Sequence, residues 1–344
     1  MIQRFFFLLS GENEALSWGE CKALLEASGS PFKFSTLKQV LIAETTYDSA
    51  RFVLERAAMC HYGCLLIAKL PFSLKQISSA ISSYESGIAS IISSSDSFAV
   101  RVRCVKPTFH RIDTLALEKV LGETVRKITG AKVNLENPNK LLIGVLTEGW
   151  FLFGLCLGRS ARKSLGLRSL RYRPFMTPSS MTPYIARTMV NLSRAIPRDI
   201  FLDPFCGSGS ILIEAALVGC RIIGCDIDPR MVNGAKANLT YYGLNGELTL
   251  SDARHLPFSC ADRVVTDPPY GRAASTKGIP LKKLLQGFLS SVESVLGKKG
   301  WLCMASPSNV DVESYMNMYG FQVIETYHIR VHESLTRKII VSRK

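Results

Sequence analysis

The chain has 344 residues, of which 47% are hydrophobic and 20% charged, so we expect a soluble globular protein of two or three domains. Its formal net charge of +14 at pH 7 favours a polyanionic partner, with nucleic acid as the leading candidate; a charge that serves only solubility is the alternative. No apolar run reaches the length of a membrane span, which argues against a protein that crosses a membrane by helices.

The first residues and the cysteines indicate the cellular compartment. Residues 1–10 are hydrophobic, but Glu12 and Glu14 follow at once, so we interpret this stretch as a buried strand rather than a signal peptide. The ten cysteines are scattered, and although His61 lies between Cys60 and Cys64, no second pair of ligands follows, so we expect no metal. We therefore expect a cytoplasmic protein with reduced thiols and no membrane contact.

Residues 1–70 alternate between strand-like and helix-like segments. Helices are predicted at Asn13–Ala27, with Gly29 past its end, and at Asp48–Met59, with Asp48 as the N-cap. Strands are predicted at Phe5–Leu9, Phe32–Phe34, Val40–Ala43 and Cys64–Lys69. The order strand-helix-strand-strand-helix-strand is that of the ferredoxin-like motif, so we assign residues 1–70 to an α+β domain of this kind.

Residues 71–158 form a second predicted unit. A helix is predicted at Ser73–Tyr84, and the serine-rich residues 90–97 are expected to form a loop, because serine side chains compete for backbone hydrogen bonds. The strand Phe98–Val102 has an alternating pattern, with Arg101 and Arg103 on the opposite face from its apolar residues. The remaining elements are a helix at Asp113–Thr129 that ends at Gly130 and strands at Lys132–Leu135, Leu141–Leu146 and Trp150–Leu157.

Residues 159–177 show the clearest change in composition, since no acid occurs between Glu148 and Asp199. The basic residues of this stretch are Arg159, Arg162, Lys163, Arg168, Arg171 and Arg173. Because arginines beside Tyr172 and Phe175 favour contact with phosphate groups, we interpret the stretch as a basic linker that binds a polyanion; a solvated connector is the alternative.

Residues 178–344 alternate repeatedly between strand and helix. The strands are predicted at Asp199–Leu202, Arg221–Cys225, Leu248–Leu250, Arg263–Thr266 and Gly300–Ala305. The helices are predicted at Ser210–Val218 and Arg230–Tyr241. This alternation indicates an α/β domain with a parallel, doubly wound sheet.

A glycine-containing turn follows the first strand of this last domain. Its sequence is Asp203-Pro204-Phe205-Cys206-Gly207-Ser208-Gly209. Glycines at this place let a ligand approach the backbone closely. The third glycine of the dinucleotide fingerprint is missing and an acid precedes the glycines, so the turn suits a cationic amino group better than a phosphate.

Carboxylates also follow the next two strands. Asp226 lies 19 positions beyond Gly207, where an acid would bond ribose hydroxyls, and Asp252 is placed to accept from an adenine amino group. Asp228 and Pro229 predict the N-cap and the first residue of the following helix. Each acid alone is explained equally well as a cap or turn residue. The ordered set at successive strand ends predicts a pocket for a nucleoside with a positive centre, and S-adenosyl-L-methionine is such a molecule.

The sequence Asp267-Pro268-Pro269-Tyr270 follows the fourth strand. Two prolines directly after a strand have no N–H to donate to a sheet, so the chain leaves the sheet with unpaired backbone carbonyls. The Asp267 carboxylate and the Pro268 carbonyl would accept the two hydrogens of an amino group on a planar base, and Tyr270 would stack on its ring. A strand-end turn with a buried tyrosine is the alternative.

The order of these motifs resembles a known group of enzymes. Asp-Pro-Phe-Cys-Gly-Ser-Gly, Asp-Ile-Asp, Ser-Asp-Ala and Asp-Pro-Pro-Tyr, in this order, resemble the Rossmann-like methyltransferases that modify exocyclic amino groups of bases. Residues 173–183 are similar to the segment of that group that packs over the methionine end of the cofactor. Leu141–Gly158 resembles part of a THUMP domain, an RNA-binding module, to which we assign residues 71–158. Together with Asp-Pro-Pro-Tyr-Gly-Arg at 267–272, nearly the whole chain resembles the archaeal-type tRNA guanine-10 N2-methyltransferase family.

The resemblance implies roles for particular residues. Cofactor binding is implied for Thr182, Asp203, Phe205, Cys206, Gly207, Ser208, Gly209, Asp226, Ile227, Asp252 and Ala253. Catalytic roles are implied for Asp267, Pro268, Pro269 and Tyr270. RNA binding is expected for Arg101, Arg103, Arg159, Arg162, Lys163, Arg168, Arg171 and Arg173.

The implied reaction is S-adenosyl-L-methionine-dependent methylation of N2 of guanine in tRNA, at guanine-10, giving the N2-methyl or N2,N2-dimethyl base. Guanine-6 of tRNA is an alternative target, because the sister enzymes share the domain order. A DNA adenine-N6 methyltransferase would share the catalytic tetrapeptide, but the N-terminal half resembles an RNA module. A non-catalytic RNA-binding protein would not need the intact series of acids. We expect tRNA as the partner, and either a monomer or a complex with a small activating subunit.

Overall fold

A computed structural model of the protein describes residues 1–105, 112–269, 278–332 and 335–344, without the side chains of residues 331, 332 and 335. Within these ranges the chain divides into two compact units. The first consists of Met1–Cys21, Ser28–Glu55 and Cys60–Ser160, and the second of Lys22–Ala27, Arg56–Met59 and Ala161–Lys344. No helix in the described ranges is long and apolar enough to cross a membrane.

The first unit is built on a mixed sheet with the strand order β2-β3-β1-β4-β8-β7-β5-β6. Its strands are β1 (Ile2–Leu9), β2 (Lys33–Leu37), β3 (Val40–Thr46), β4 (Cys60–Pro71), β5 (Ser97–Cys104), β6 (Lys132–Val133), β7 (Lys140–Thr147) and β8 (Trp150–Cys156). The helices in this part of the chain are α1 (Glu14–Ala27), α2 (Tyr47–Arg56), α3 (Ile77–Ser82), α4 (Glu85–Ala89) and α5 (Thr114–Thr129). Phe5, Phe6 and Phe7 are all fully buried, which means that both faces of the sheet are covered at β1.

This sheet contains strands from both of the predicted N-terminal domains. Strand β4 closes the first predicted domain and pairs with β8, the last strand of the second, with Leu65 opposite Leu155. The division at residue 70 and the ferredoxin-like and THUMP assignments stay predictions.

Helix α5 begins and ends where the sequence predicts. The side chain of Asp113 caps its first turn by accepting a hydrogen bond from the Ala116 amide at 3.0 Å. Gly130 follows its last turn with φ of +70°, a left-handed conformation that glycine adopts without steric cost. The predicted helix at Asp113–Thr129 is therefore confirmed to within one residue.

Two other predictions for this unit are wrong. The helix expected at Ser73–Tyr84 is reduced to α3, Ile77–Ser82, and α4 follows beyond the predicted range. Serine hydroxyls in this stretch bond back to nearby carbonyls, as Ser79 does to Gln76, which weakens a longer helix. Asp48 is not the N-cap of α2, since the helix begins one residue earlier, at Tyr47. The hydroxyl of Thr46 caps the helix instead by accepting from the Ser49 amide at 3.3 Å.

The second unit is built on a sheet with the strand order β11-β10-β9-β12-β13-β15-β14. Its strands are β9 (Ile200–Asp203), β10 (Arg221–Asp226), β11 (Glu247–Leu250), β12 (Ala261–Thr266), β13 (Leu296–Pro307), β14 (Gln322–His332) and β15 (Leu335–Arg343). Its helices are α6 (Arg162–Gly166), α7 (Pro183–Leu192), α8 (Ser210–Val218), α9 (Pro229–Tyr241), α10 (Leu281–Val295) and α11 (Val312–Met318).

The strands β9 to β13 run parallel, as the alternation of strand and helix predicts. Strands β14 and β15 were not predicted, and they break the pattern, because β15 runs antiparallel to both β13 and β14. The sheet is therefore mixed, and the amino end of β15 lies at the edge where the parallel strands end.

Two arginines of the predicted basic linker, Arg168 and Arg173, form hydrogen bonds inside the second unit. Arg168 Nε donates to Oε1 of the fully buried Glu214 at 2.8 Å, and Arg187 Nε donates to Oε2 of the same carboxylate at 2.8 Å. Arg173 is only 6% exposed and donates to the Ser210 hydroxyl at 2.6 Å. Both guanidinium groups therefore make contacts within the fold, and contact of Arg168 and Arg173 with RNA stays a prediction.

We predict that Glu214→Gln destabilises the protein by about 3–5 kcal/mol, because it leaves two arginines without their buried counter-charge. Urea-induced unfolding measures the change as a lower midpoint. Glu247→Gln is the matched control: it breaks an ion pair with Arg221 in which the Glu247 side chain is 60% exposed, and it is expected to cost about 0–1 kcal/mol. Equal midpoints for the two variants would contradict a structural role of the Glu214 cluster.

Candidate active site

The acids predicted from the sequence come to one edge of the second sheet. Strands β10, β9 and β12 are neighbours and parallel, so their carboxyl ends share an edge. Asp226 and Asp203 are the last residues of β10 and β9, and Asp267 directly follows β12. Asp252 lies two residues beyond β11, the neighbour of β10 on its other side.

The glycine turn is tied to the end of β10 through Asp226. One carboxylate oxygen of Asp226 accepts from the Gly207 amide at 3.0 Å, and the other accepts from the Asp228 amide at 2.9 Å. Gly207 and Gly209 have φ of +50° and +78°, and a Cβ at Gly209 would lie 3.2 Å from the Ala235 Cβ on α9. Glycine is therefore required at position 209 both by the backbone conformation and by the close approach of α9.

Helix α9 begins as predicted. Asp228 is its N-cap and accepts from the Arg230 amide at 2.9 Å, and Pro229 occupies the first helical position. This cap fixes the direction in which the chain leaves Asp226 and Ile227. Ile227 is 43% exposed, which leaves an apolar side chain open beside the acid.

Asp203, at the end of β9, accepts hydrogen bonds from within the protein at the shared edge of the sheet. Its side chain is 1% exposed and accepts from the Thr266 hydroxyl at 2.7 Å and from the Phe205 amide at 3.2 Å. Burial raises the pKa of Asp203 to about 7; the hydrogen bonds act against this shift, and the charges of Asp226 and Asp267 add to it. The bond from Thr266 joins the ends of β9 and β12.

Asp252 already has a partner. Its carboxylate accepts from the guanidinium of Arg254 at 2.6 Å and from the Arg254 amide at 2.9 Å. The hydrogen bond to Arg254 lowers the pKa of Asp252 below its ordinary value. An adenine amino group would therefore share this carboxylate with an arginine that the sequence analysis did not consider.

Residues 173–182 pack on the glycine turn. Ser180 Oγ donates to Ser208 Oγ at 2.8 Å, and the side-chain amide of Asn238 donates to the carbonyls of Ser208 and Phe175, both at 2.8 Å. Asn238 lies on α9 and was not predicted, because nothing in the sequence links a helical asparagine to a turn 30 residues earlier. Thr182 is the exposed N-cap residue of α7, and its side chain makes no capping bond.

The other predicted cofactor residues differ in exposure. Cys206, Ser208 and Ala253 are buried, so contact with a ligand would come from their backbone or from small movements. Phe205 is partly buried and its ring packs edge-on against Phe288, with 5.3 Å between the ring centroids. The Phe205 side chain therefore stabilises the glycine turn through its packing against Phe288.

The proposed catalytic segment begins with Asp267, which is half-buried and lies 3.3 Å from Arg337, measured from Oδ2 to Nη2. Pro268 is buried and Pro269 is half-buried. Tyr270 lies outside the described residues. Arg337 belongs to β15 and was missed by the sequence analysis, because that strand was not predicted.

The remaining arginines expected to bind RNA have different surroundings. Arg101 donates to the Leu135 carbonyl at 2.8 Å, and Arg103 is exposed and lies over the Tyr62 ring. Arg162 donates to the Ala58 carbonyl at 2.9 Å and lies over the Tyr184 ring. The exposed basic side chains of the 159–177 stretch are Arg159, Lys163 and Arg171.

The chain is similar over nearly its whole length to one family of enzymes. It is 33% identical over 361 residues to the tRNA (guanine(10)-N2)-dimethyltransferase of Methanocaldococcus jannaschii, covering 98% of this chain and 99% of that enzyme. It is 44% identical over 248 residues to the enzyme of the same name from Methanothermobacter thermautotrophicus, covering 72% of this chain and 73% of that enzyme. The chain belongs to the tRNA (guanine(10)-N2)-dimethyltransferase family.

Two further comparisons agree with this membership. Residues 170–339 match the UPF0020 family, described as an RMKL-like methyltransferase domain. The fold is similar to the crystal structure of TrmN from Thermus thermophilus, with a TM-score of 0.56, 21% identity, and coverage of 99% of this chain and 100% of that one. The expected family is confirmed, as is a mixed α/β fold with a methyltransferase domain in the C-terminal half.

We predict that Asp203→Asn removes a pH-dependent loss of stability. The folded pKa of about 7 lies above the ordinary 3.8, so the native wild type keeps a proton that the unfolded chain releases. As the pH rises from about 4 to 7, ionisation of Asp203 therefore lowers the free energy of unfolding of the wild type by about 4 kcal/mol. Asparagine keeps the acceptor for Thr266 and carries no charge, so the variant gains stability relative to wild type across that window.

Urea unfolding without added ligand, at pH 5 and pH 8, measures this difference. Asp262→Asn makes the same change on an exposed carboxylate near the start of β12 and controls for the change of net charge. Parallel pH curves for Asp203→Asn and wild type would show that Asp203 is not the buried acid described above.

Proposed function

We propose that the protein methylates the exocyclic N2 of guanine-10 in tRNA, with S-adenosyl-L-methionine as the methyl donor and N2,N2-dimethylguanine as the final product. The observation that carries this proposal is the place of Asp267 and Pro268 next to the glycine turn, at one edge of a parallel sheet. Membership of the tRNA (guanine(10)-N2)-dimethyltransferase family supports the choice of base and of RNA.

The residues of the edge fit a nucleoside with a positive centre. Gly207 and Gly209, both at positive φ, leave the turn without a side chain at these two positions, and Asp226 lies where ribose hydroxyls would reach a carboxylate. Ile227 offers an exposed apolar side chain for one face of a base. Asp226 and Asp267 add negative charge that favours a cation. When bound, the cofactor supplies a methyl group already activated by its sulfonium, so no covalent intermediate with the enzyme is needed.

Asp267 and the Pro268 carbonyl would act on the guanine amino group. The N2 lone pair is delocalised into the ring, so N2 is a poor nucleophile. Hydrogen bonds from its two N–H groups to these acceptors would hold the amino group in line with the methyl group and favour a tetrahedral nitrogen. The carboxylate would also stabilise the positive charge that develops on N2. The proton is then released to Asp267 or to solvent.

The base must leave the tRNA stem to reach this edge. Tyr270 is the proposed stacking partner for the extruded guanine. We propose that residues 1–70 and 71–158 are ferredoxin-like and THUMP domains that bind tRNA, and that they select which nucleotide is presented. A structured RNA is recognised largely through its shape and backbone, which suits contacts from Arg101, Arg103 and the exposed cations of residues 159–177.

Mass spectrometry of nucleosides from tRNA incubated with enzyme and S-adenosyl-L-methionine tests the proposal. We expect methylated guanine that maps to position 10; product at guanine-6 or methylated adenine in duplex DNA would overturn it.

We predict that Asp267→Ala abolishes product while the affinity for the cofactor, measured by calorimetry, stays within a few-fold of wild type. Asp262→Ala, at the start of the same strand, is expected to keep activity. Loss of cofactor affinity in Asp267→Ala would contradict its assignment to the guanine.

We also predict that tRNA binding weakens steeply with salt and depends on Arg159, Lys163 and Arg171. Replacing all three by Gln should weaken binding and lower the slope of log K against log salt by about 2–3, because each phosphate contact contributes a slope of about 0.7–0.9. The matched control replaces three exposed cations at the amino edge of the second sheet, Arg221, Lys298 and Lys299. Equal effects of the two triple variants would contradict a specific contact by residues 159–177.

A further inference from the structure

Strand β15 brings a cation to the edge where the proposed chemistry takes place. Its antiparallel direction means that its first residues, rather than its last, lie at the carboxyl edge of the parallel strands. Arg337 is opposite Pro307 on β13, three residues beyond Met304, which pairs with Thr266 on β12. Two strand spacings separate β15 from β12, about 10 Å, and an extended arginine side chain covers most of that distance.

The side chain of Arg337 reaches Asp267. The Nη2 and Oδ2 atoms are 3.3 Å apart, and the two side chains are 20% and 18% exposed, so solvent screens this pair only in part. The next residue, Lys338, is 6% exposed and pairs with Glu313 on α11. Because successive side chains of a strand point to opposite faces, Lys338 does not compete with Arg337 for Asp267.

The carboxylates near Asp267 favour a cation beside it. Asp203 lies close enough for the Asp267 charge to raise its pKa, and Asp226 acts on Asp203 in the same direction. Neighbouring carboxylates cannot all be ionised without cost, so a proton is retained by one of them. Burial favours Asp203 as that site, and a guanidinium at Asp267 disfavours protonation there.

We propose that Arg337 is a positioning residue for the methyl transfer: its guanidinium holds Asp267 ionised and orients its carboxylate. The inference rests on the proposed function, since it assumes that Asp267 accepts hydrogen bonds from N2. A protonated Asp267 would offer weaker acceptors and no charge to stabilise the developing cation. Arg337 therefore acts on the guanine through Asp267 and not by direct contact.

Single-turnover methylation of tRNA at saturating tRNA and cofactor, measured from pH 5.5 to 8.5, tests this role. For Arg337→Gln we expect the acidic limb of the rate profile to move up by about 1–3 pH units, since an opposite charge at this distance lowers a carboxyl pKa by that amount. The rate at pH 6 should fall at least about tenfold and recover toward wild type at pH 8.5. Arg337→Lys keeps the charge and should restore most of the profile.

Arg343→Gln is the matched control, because it removes one exposed charge from the other end of β15. Thermal unfolding at each pH confirms that every variant is folded.

Other outcomes separate this inference from its rivals. A raised Kd for tRNA with a salt slope lower by about one, and an unchanged rate at saturation, would mean that Arg337 binds a phosphate, and the inference would be wrong. A wild-type profile in Arg337→Gln would also overturn it while leaving the proposed function intact. If the wild-type enzyme gives no methylated guanine, the proposed function itself fails.

Discussion

Repulsion among the carboxylates at the end of one sheet is the constraint on which the second unit depends. Parallel strands necessarily end at a common edge, so acids that follow β10, β9 and β12 are brought together whatever the helices between them do. Two devices relieve the resulting repulsion. Burial of Asp203 favours its protonated form against the opposing effect of the hydrogen bond from Thr266, and Asp226 spreads its charge over two backbone amides. Arg337 lies 3.3 Å from Asp267, and under the proposed function a carboxylate there would stabilise the developing cation.

Several arginines balance acids inside the second unit. Arg168 and Arg187 neutralise Glu214, Arg254 is bonded to Asp252, and Arg337 lies against Asp267. Because the net charge of +14 already subtracts these acids, most of the excess positive charge is carried by other side chains. Burying an arginine is costly unless a carboxylate accompanies it, so the internal pairs are visible only when the fold is known.

The sequence predicts best where the signal is local. Asp228-Pro229 identifies a helix start from two adjacent residues, and Gly130 identifies a helix end from its tolerance of positive φ. The grouping of the acids at successive strand ends could also be predicted, because the alternation of strand and helix fixes which edge of the sheet they share. Contacts between residues from distant segments of the chain could not be predicted. Nothing in the sequence around Asn238 or Arg337 indicates which turn or which acid each will contact.

The antiparallel direction of β15 places its first residues, Arg337 among them, at the edge where Asp267 lies. A sixth parallel strand would have placed its last residues at this edge. Arg337 instead sits within a strand that is paired on both sides, by β13 and β14, so its backbone is fixed more firmly than that of Arg254, which contacts its acid from a turn two residues away. Under the proposed function, a rigid counter-charge suits Asp267, which would align a nucleophile, whereas Asp252, which would contact the cofactor, tolerates a more adjustable partner.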